Sequence, residues 1–397
     1  MKVIRKAIKK FTQDFKYVDF SIFAAYILIC LIGLVMIYSA SMIGAMRGTL
    51  VKGVELSPYH FFIRQLIYWM IGLMIVVFIG YIINIKSLLK KNIQIAMMAS
   101  ILFLLVLTLL IGREVNGAKS WIDLFGFGLQ PSELFKIVSI IYLAYMYNQR
   151  KKYTNLTIGD ILSPLTLVGV GLFFIAIQPD FGTAMILAII IFSMVLYSGF
   201  KTKLLLSMVA VFICAIGVWM LSNYILTGEI ILDHQKERFI AMQNPFVNEA
   251  EGYHLANSLV AFGTGGLFGN GLGNSIQKLG YLPEPHTDFI LAVIGEEFGL
   301  VGVLTVLFIL AFIVFKGFYY AMQARSTFLQ LVCVGCATYI GIQTIVNVGG
   351  VTNFIPLTGV PLPFLSYGGS SMISLSMAVG LLLMASKWIR KSQQTTP

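Results

Sequence analysis

Charge is scarce in this chain. Asp, Glu, Lys and Arg make up 11% of its 397 residues, against about a quarter in soluble domains, while 58% are hydrophobic. With apolar runs of about twenty residues recurring along the chain, that deficit excludes a soluble globular protein and points to a polytopic membrane protein. No polar stretch is long enough to stand as a separate soluble domain. Cysteine is also rare: Cys30, Cys214, Cys333 and Cys336 all fall inside apolar runs. Cys333 and Cys336 have CxxC spacing, but no second pair or neighbouring histidine accompanies them. They read as small apolar filler, with no disulfide framework or zinc site. The glycine-rich strings near 263–273 have no strand–turn–helix context, so they are not a nucleotide fingerprint. The first apolar run is too long for a signal-peptide core and lacks a small-residue cleavage site, so it is expected to be a retained span.

About ten spans are present, near 20–40, 61–83, 93–111, 132–148, 163–178, 182–198, 204–224, 288–315, 327–348 and 366–386. The fifth and sixth meet at Gln178-Pro179-Asp180, and Pro179 would break a continuous helix there. The expected fold is all-α and polytopic: a single integral membrane domain over 1–397. A large extracytoplasmic loop, about 225–287, separates the seventh and eighth spans. With ten spans and a cytoplasmic N-terminus, 19 of the 28 basic residues but only three of the 17 acids fall inside. This positive-inside bias sets the orientation, with both termini cytoplasmic. It also accounts for the net charge of +11. The excess is spread through short inner loops, where it fits topology and anionic lipid rather than nucleic acid.

The polar chemistry collects on the outer side. The third-to-fourth connection, GREVNGAKSWIDLFGFGLQPSELFK (112–136), brings Lys119, Gln130, Glu133 and Lys136. Glu133 and Lys136 share a helical face at i, i+3, and read equally as an internal ion pair or as part of a polar cavity. Asp180 reads mainly as a helix cap. The large loop contributes Arg238, then Gln277 and Lys278, which are phosphate-binding candidates or plain loop side chains. Pro283 and Pro285 stiffen the run YLPEPHTD (281–288), with His286, Thr287 and Asp288 at its end. On spacing alone, Thr287 as N-cap and Asp288 as first-turn acid are as good a reading as catalysis. Acid density favours the functional alternative: Glu284, Asp288, Glu296 and Glu297 lie within fourteen residues, the last two inside a span. The last outer loop ends in LSYGGSS, and Ser366 and Ser370 would face a polar cavity. Oxygen ligands there would suit Mg²⁺ or Mn²⁺, although no metal cage is evident and no organic cofactor is expected.

Five ordered strings carry a resemblance: MIYSAS (36–41), NGAKSWI (116–122) with QPSELFK (130–136), QPDFGT (178–183), GLFGNGLGNSIQKLGYLPEPHTDFILAVIGEEFG (266–299) and GVPLPFLSYGGSS (359–371). Together they resemble the SEDS family of shape, elongation, division and sporulation proteins over nearly the whole chain. GLGNSIQK followed by YLPEPHTDF is most similar to the cell-division branch, with the rod-elongation branch next. Ser120 stands where many division-type relatives have an arginine. The resemblance implies a peptidoglycan glycosyltransferase acting on lipid II, a disaccharide-peptide on undecaprenyl pyrophosphate. It places the family's essential aspartate on Asp288, expected to act as general base. It also implies a class B penicillin-binding protein and other division-site membrane proteins as partners, in the bacterial cytoplasmic membrane at the septum. The rival readings are a lipid II flippase or other transporter, and a non-catalytic scaffold. A transporter should place its ionisable groups near the midplane and show internal repeats. No obvious repeat is present here, and the acids cluster outside.

Overall fold

The computed structural model describes residues 16–50, 53–115, 118–124, 127–150, 158–199, 240–246, 251–282 and 284–394. The apolar runs form helices α1 (Phe20–Met46), α2 (His60–Val77), α3 (Lys91–Ile111), α4 (Pro131–Arg150), α5 (Ile158–Ile177) and α6 (Phe181–Tyr197). After a further helix α7 (Glu251–Gly265) come α8 (Ile290–Gln323), α9 (Thr327–Val351) and α10 (Gly369–Gln394). Six of these, α1, α2 with its extension, α3, α8, α9 and α10, are long and apolar enough to cross a membrane; α5 and α6 supply shorter apolar helices. The seventh expected span, 204–224, lies outside the described residues, as does Arg238.

Helix ends follow their capping chemistry. Asp19 accepts the Ser21 N–H at 3.0 Å to start α1, and Asp180 accepts the Thr183 N–H at 3.1 Å to start α6. Pro131 opens α4, where a missing N–H costs nothing. At its other end, α2 continues as a π turn, Phe78–Ile82, and Lys387 of α10 donates to the Tyr81 carbonyl at 3.0 Å.

α9 and α10 form the centre. Buried residues make up 67% and 83% of their spanning windows, against at most 44% in the other long helices. Small residues allow the close crossings. Gly72 of α2 faces Ser376 of α10, and Gly335 of α9 faces Ile140 of α4; a methyl at either would collide. The outer helices turn residues such as Phe103, Phe308 and Phe315 outward, as lipid-facing surfaces require.

One end of the bundle is basic. There Asp19 accepts from Lys316 at 3.1 Å, Arg390 at 3.0 Å and Tyr320 at 2.6 Å, tying together α1, α8 and α10. Hydroxyl and ammonium donors outweigh the effect of burial and lower its pKa to about 2. The described residues on either side of 200–239 lie at opposite ends. The Tyr197 ring lies 6.2 Å from that of Phe318, tilted against it, towards the basic end, while the Met242 carbonyl accepts from Asn353 at the other.

Two features depart from expectation. The connection between α3 and α4 is an antiparallel three-stranded sheet, β1 (Arg113–Val115), β2 (Ala118–Leu124) and β3 (Phe127–Leu129), in that order. The part of the large loop after residue 250 is no simple solvated connection. It holds α7, and the following glycine-rich turn docks against α8. Gly299, at φ 66° and ψ −164°, breaks α8 into a short half carrying Ile290–Phe298 and a long half. The freed carbonyls of Glu296 and Glu297 accept from Asn270 N–H (3.0 Å) and Gly271 N–H (2.9 Å). In return Leu300 and Val301 donate to the carbonyls of Gly266 and Leu267, at 2.9 and 3.1 Å. These four bonds satisfy backbone groups that a helix break would otherwise leave bare at membrane depth.

Candidate active site

Asp288 lies half-buried at the end opposite the basic cluster, two residues before α8 begins. It stands outside the first turn, and the N-cap position belongs to Phe289, which makes no side-chain cap. Thr287 turns its hydroxyl back to the Glu284 carbonyl at 3.1 Å, so it is not the expected N-cap. Three successive carbonyls of this segment are each held from outside. His286 C=O accepts Tyr367 N–H at 2.8 Å, Thr287 C=O accepts the Ser366 hydroxyl at 2.6 Å, and Asp288 C=O accepts the Asn347 amide at 3.0 Å. The Asp288 carboxylate lies over Gly359, where a side chain would begin 3.5 Å from Oδ2 and where φ is +70°. The backbone, rather than the space, is what calls for glycine there.

His286 is buried between Phe61 and Tyr367, with ring centroids 4.3 and 5.4 Å away. Among the described residues its Nδ1 has no hydrogen-bond partner, and burial pushes its pKa down to about 3. It is therefore neutral, and its 3.9 Å approach to Glu284 is not an ion pair. Glu284 has a left-handed backbone at φ 48°, an unfavourable conformation for a side-chain-bearing residue. Burial raises its pKa. With Tyr253, His254, Lys278, Tyr281 and other residues it lines a cavity of about 210 Å³ beside the Asp288 segment.

Two further polar centres support this surface. In the first, the glycine-rich segment does hold an anion, and that anion is the protein's own: the Glu296 carboxylate accepts the N–H groups of Ile276 (2.9 Å) and Gln277 (3.2 Å) and the Ser275 hydroxyl. The Lys278 ammonium points inward, to Glu297 Oε1 at 2.6 Å and the Ser39 hydroxyl of α1 at 2.9 Å. In the second, Lys136 pairs with Glu133 at 2.7 Å with its side chain wholly buried. The other Glu133 oxygen accepts from Tyr339 (2.8 Å) and Ser374 (2.9 Å), and Lys136 also reaches Gln343 at 3.5 Å. Nearby, Ser370 accepts the Gln130 N–H at 2.8 Å, and the Gln130 amide donates to Asp180 at 2.9 Å. Burial raises the Asp180 pKa.

The structure thus gathers His286, Thr287, Asp288 and Ser366 at one point. It places Glu296, Gln277 and Lys278 behind that point, and Glu133, Lys136, Gln130 and Ser370 along its α4–α10 side. Lys119 stands apart on β2, exposed, donating to the Leu110 carbonyl at 3.2 Å. Among the described residues no group of three or more His, Cys, Asp or Glu is placed to hold a metal ion.

The family profile for FtsW, RodA and SpoVE, described as "Cell cycle protein", matches residues 19–391. The chain belongs to this family. A Bacillus subtilis (strain 168) protein named probable peptidoglycan glycosyltransferase FtsW is 39% identical over 393 residues, covering 97% of this chain and 94% of its own. A namesake from Enterococcus hirae is 37% identical over 376 residues, covering 92% and 91%. A solved chain from work on structural coordination of polymerization and crosslinking by a peptidoglycan synthase complex superposes with a TM-score of 0.72 at 25% identity. It covers 94% of this chain and 98% of that one. The rod shape determining protein RodA of Thermus thermophilus shares the fold, with a TM-score of 0.64 at 24% identity over 93% of this chain and 96% of its own.

Within this FtsW/RodA-type site, sequence reasoning missed Asn347, Ser39, Gly359 and Arg64. Arg64 is half-buried in α2, close enough to the Tyr367 hydroxyl to act on it electrostatically. Its signal was available: a lone arginine inside an apolar span is a functional candidate by default. Asn347 and Ser39 gave no such signal, because a neutral polar side chain within a span is unremarked until its partner is known.

Proposed function

We propose that this membrane protein polymerises lipid II into glycan strands at the outer face of the membrane, with Asp288 as general base. The carboxylate takes the proton of the acceptor's GlcNAc 4-hydroxyl. That oxygen forms a bond to the anomeric carbon of the lipid-linked sugar of the growing chain. The bond from that carbon to the pyrophosphate oxygen breaks, its electron pair leaves with undecaprenyl pyrophosphate, and the configuration inverts. A positioned base of this kind contributes about 10²–10⁴ in rate.

The observation that carries this reading is the rigid presentation of Asp288. The residue is only partly buried, while its own carbonyl and the two before it are fixed by three different partners. Such fixation is what a proton acceptor needs and what a loop carboxylate of no function does not. The leaving pyrophosphate needs positive charge. Lys136 and Lys278 are engaged by carboxylates, and Arg238 is outside the described residues. Arg64, beside Tyr367, is the cation best available to it, since Lys119 stands apart on β2. A divalent ion would take most of its ligands from the pyrophosphate and water, since the described residues offer no carboxylate cluster for it.

The septal role follows the naming of the relatives, and a class B penicillin-binding protein is the matching partner, given the synthase complex among the structural neighbours. The decisive experiment is reconstituted polymerisation of labelled lipid II by D288N. The variant should bind lipid II and fold normally but make no glycan. Near-normal polymer would sink the base assignment, and leaflet exchange without polymer by the unmodified protein would favour a flippase.

A further inference from the structure

We infer that Asn347 of α9 is a positioning residue for Asp288, and that with Gln343 it forms an amide ladder setting the base in register with the buried Glu133–Lys136 pair. The inference rests on Asp288 being the base. Gln343 and Asn347 are one helical turn apart on the same face. Each donates to the loop between α9 and α10: Gln343 to the Pro361 carbonyl at 2.9 Å, Asn347 to the Val360 carbonyl at 2.8 Å. Each also reaches a charged residue. Gln343 Oε1 faces the Lys136 ammonium at 3.5 Å, and Asn347 Nδ2 gives its second hydrogen to the Asp288 carbonyl at 3.0 Å.

The chemistry selects asparagine at 347. The Nδ2 group has two hydrogens and faces two carbonyl acceptors, one on each loop. Flipping the amide would set its oxygen against both. A serine could satisfy only one, and a carboxylate would repel both. The arrangement has a cost: Asn347 is buried and its Oδ1 has no partner among the described residues. An unsatisfied buried carbonyl oxygen is unfavourable. Side chains that merely fill space avoid it, so the two-donor function outweighs it at this position. The result is that the α9 face, the 359–371 loop and the segment bearing the base are a single linked unit. The path runs from Lys136 through Gln343 to Pro361, and from Val360 through Asn347 to Asp288.

The test is initial-rate polymerisation against lipid II concentration for the full chain reconstituted in liposomes, comparing N347D, N347S and D288N. N347D keeps the shape and removes the donors. The expected result is a loss of kcat of about ten- to a hundredfold in N347D, from displacement of the base, with KM changed less than about twofold. N347S should fall between N347D and the unmodified protein. Unchanged kcat in both variants overturns the inference, as does a loss confined to KM. A kcat loss that merely tracks a lowered melting temperature, equal in N347D and N347S, also overturns it by reducing Asn347 to a packing residue. If N347D does not fold, N347S decides by the same split of kcat from KM. An active D288N would instead overturn the base assignment itself. An inactive D288N beside normal Asn347 variants would overturn only the ladder.

Discussion

At Lys136 a full positive charge is buried, and its partners explain why that is tolerable. Glu133 neutralises it, Tyr339 and Ser374 satisfy the remaining carboxylate oxygen, and the Tyr339 ring lies 4.5 Å from the ammonium. Removing one partner strands the other. K136A should therefore lower stability by about 3–5 kcal/mol, read by denaturant unfolding in micelles, and the E133Q plus K136M double variant should recover most of that loss. If K136A keeps its stability but loses turnover, the lysine belongs to the substrate site instead. His286 makes a separate prediction. Its folded pKa, about 3, lies below the ordinary 6.5, so the unfolded chain binds more protons between those values. Stability should fall as pH drops from 6.5 towards 3, and H286F should flatten that slope in a melting-temperature series. At this scale the sequence singled out Asp288 and its neighbours, but not their partners. Lys278 shows why. A loop lysine after a glycine run fits a phosphate equally well by spacing, and only the fold shows that Glu297 lies 2.6 Å from its ammonium.

Among the elements, α8 behaves as two helices joined at Gly299. The sequence marked a span there because its apolar run is long, and could not mark the break. A glycine in a helical pattern is ordinarily tolerated, and the segment that completes the break lies about thirty residues earlier. A methyl at 299 would sit 2.5 Å from the Gly269 nitrogen and the Leu267 carbonyl oxygen, on a backbone already left-handed. G299A should cost on the order of 1–3 kcal/mol and raise hydrogen exchange at 266–273 more than elsewhere in the described chain. Equal exchange in both proteins would mean that the turn docks without help from the break. The small sheet between α3 and α4 was hidden for a different reason: its strands are three to seven residues long, and a turn-rich polar run does not show pairing.

Over the whole molecule, the apolar spans were the most legible property, because apolar length is counted directly from sequence. Residues that charge counting put on one side do meet in the fold, as Asp19, Lys316 and Arg390 show. The proposed orientation predicts that a membrane-impermeant thiol reagent labels R47C in intact cells and K91C only after permeabilisation. A C214S background suits this test, since Cys30, Cys333 and Cys336 are buried. The reverse pattern would invert the protein and remove the outer-face reaction with it. What counting could not supply is how the outer surface is closed upon itself. The bonds between 266–271 and 296–301 make the intervening chain a loop of fixed circumference with Asp288 on its perimeter. Proteins built this way should vary in length ahead of Glu251 and scarcely at all between Gly271 and Glu296, since a single added residue would shift the carboxylate relative to Asn347 and Gly359. Any ligand or partner that moves the Asp288 backbone must break the segment's carbonyl bonds to Tyr367, Ser366 and Asn347.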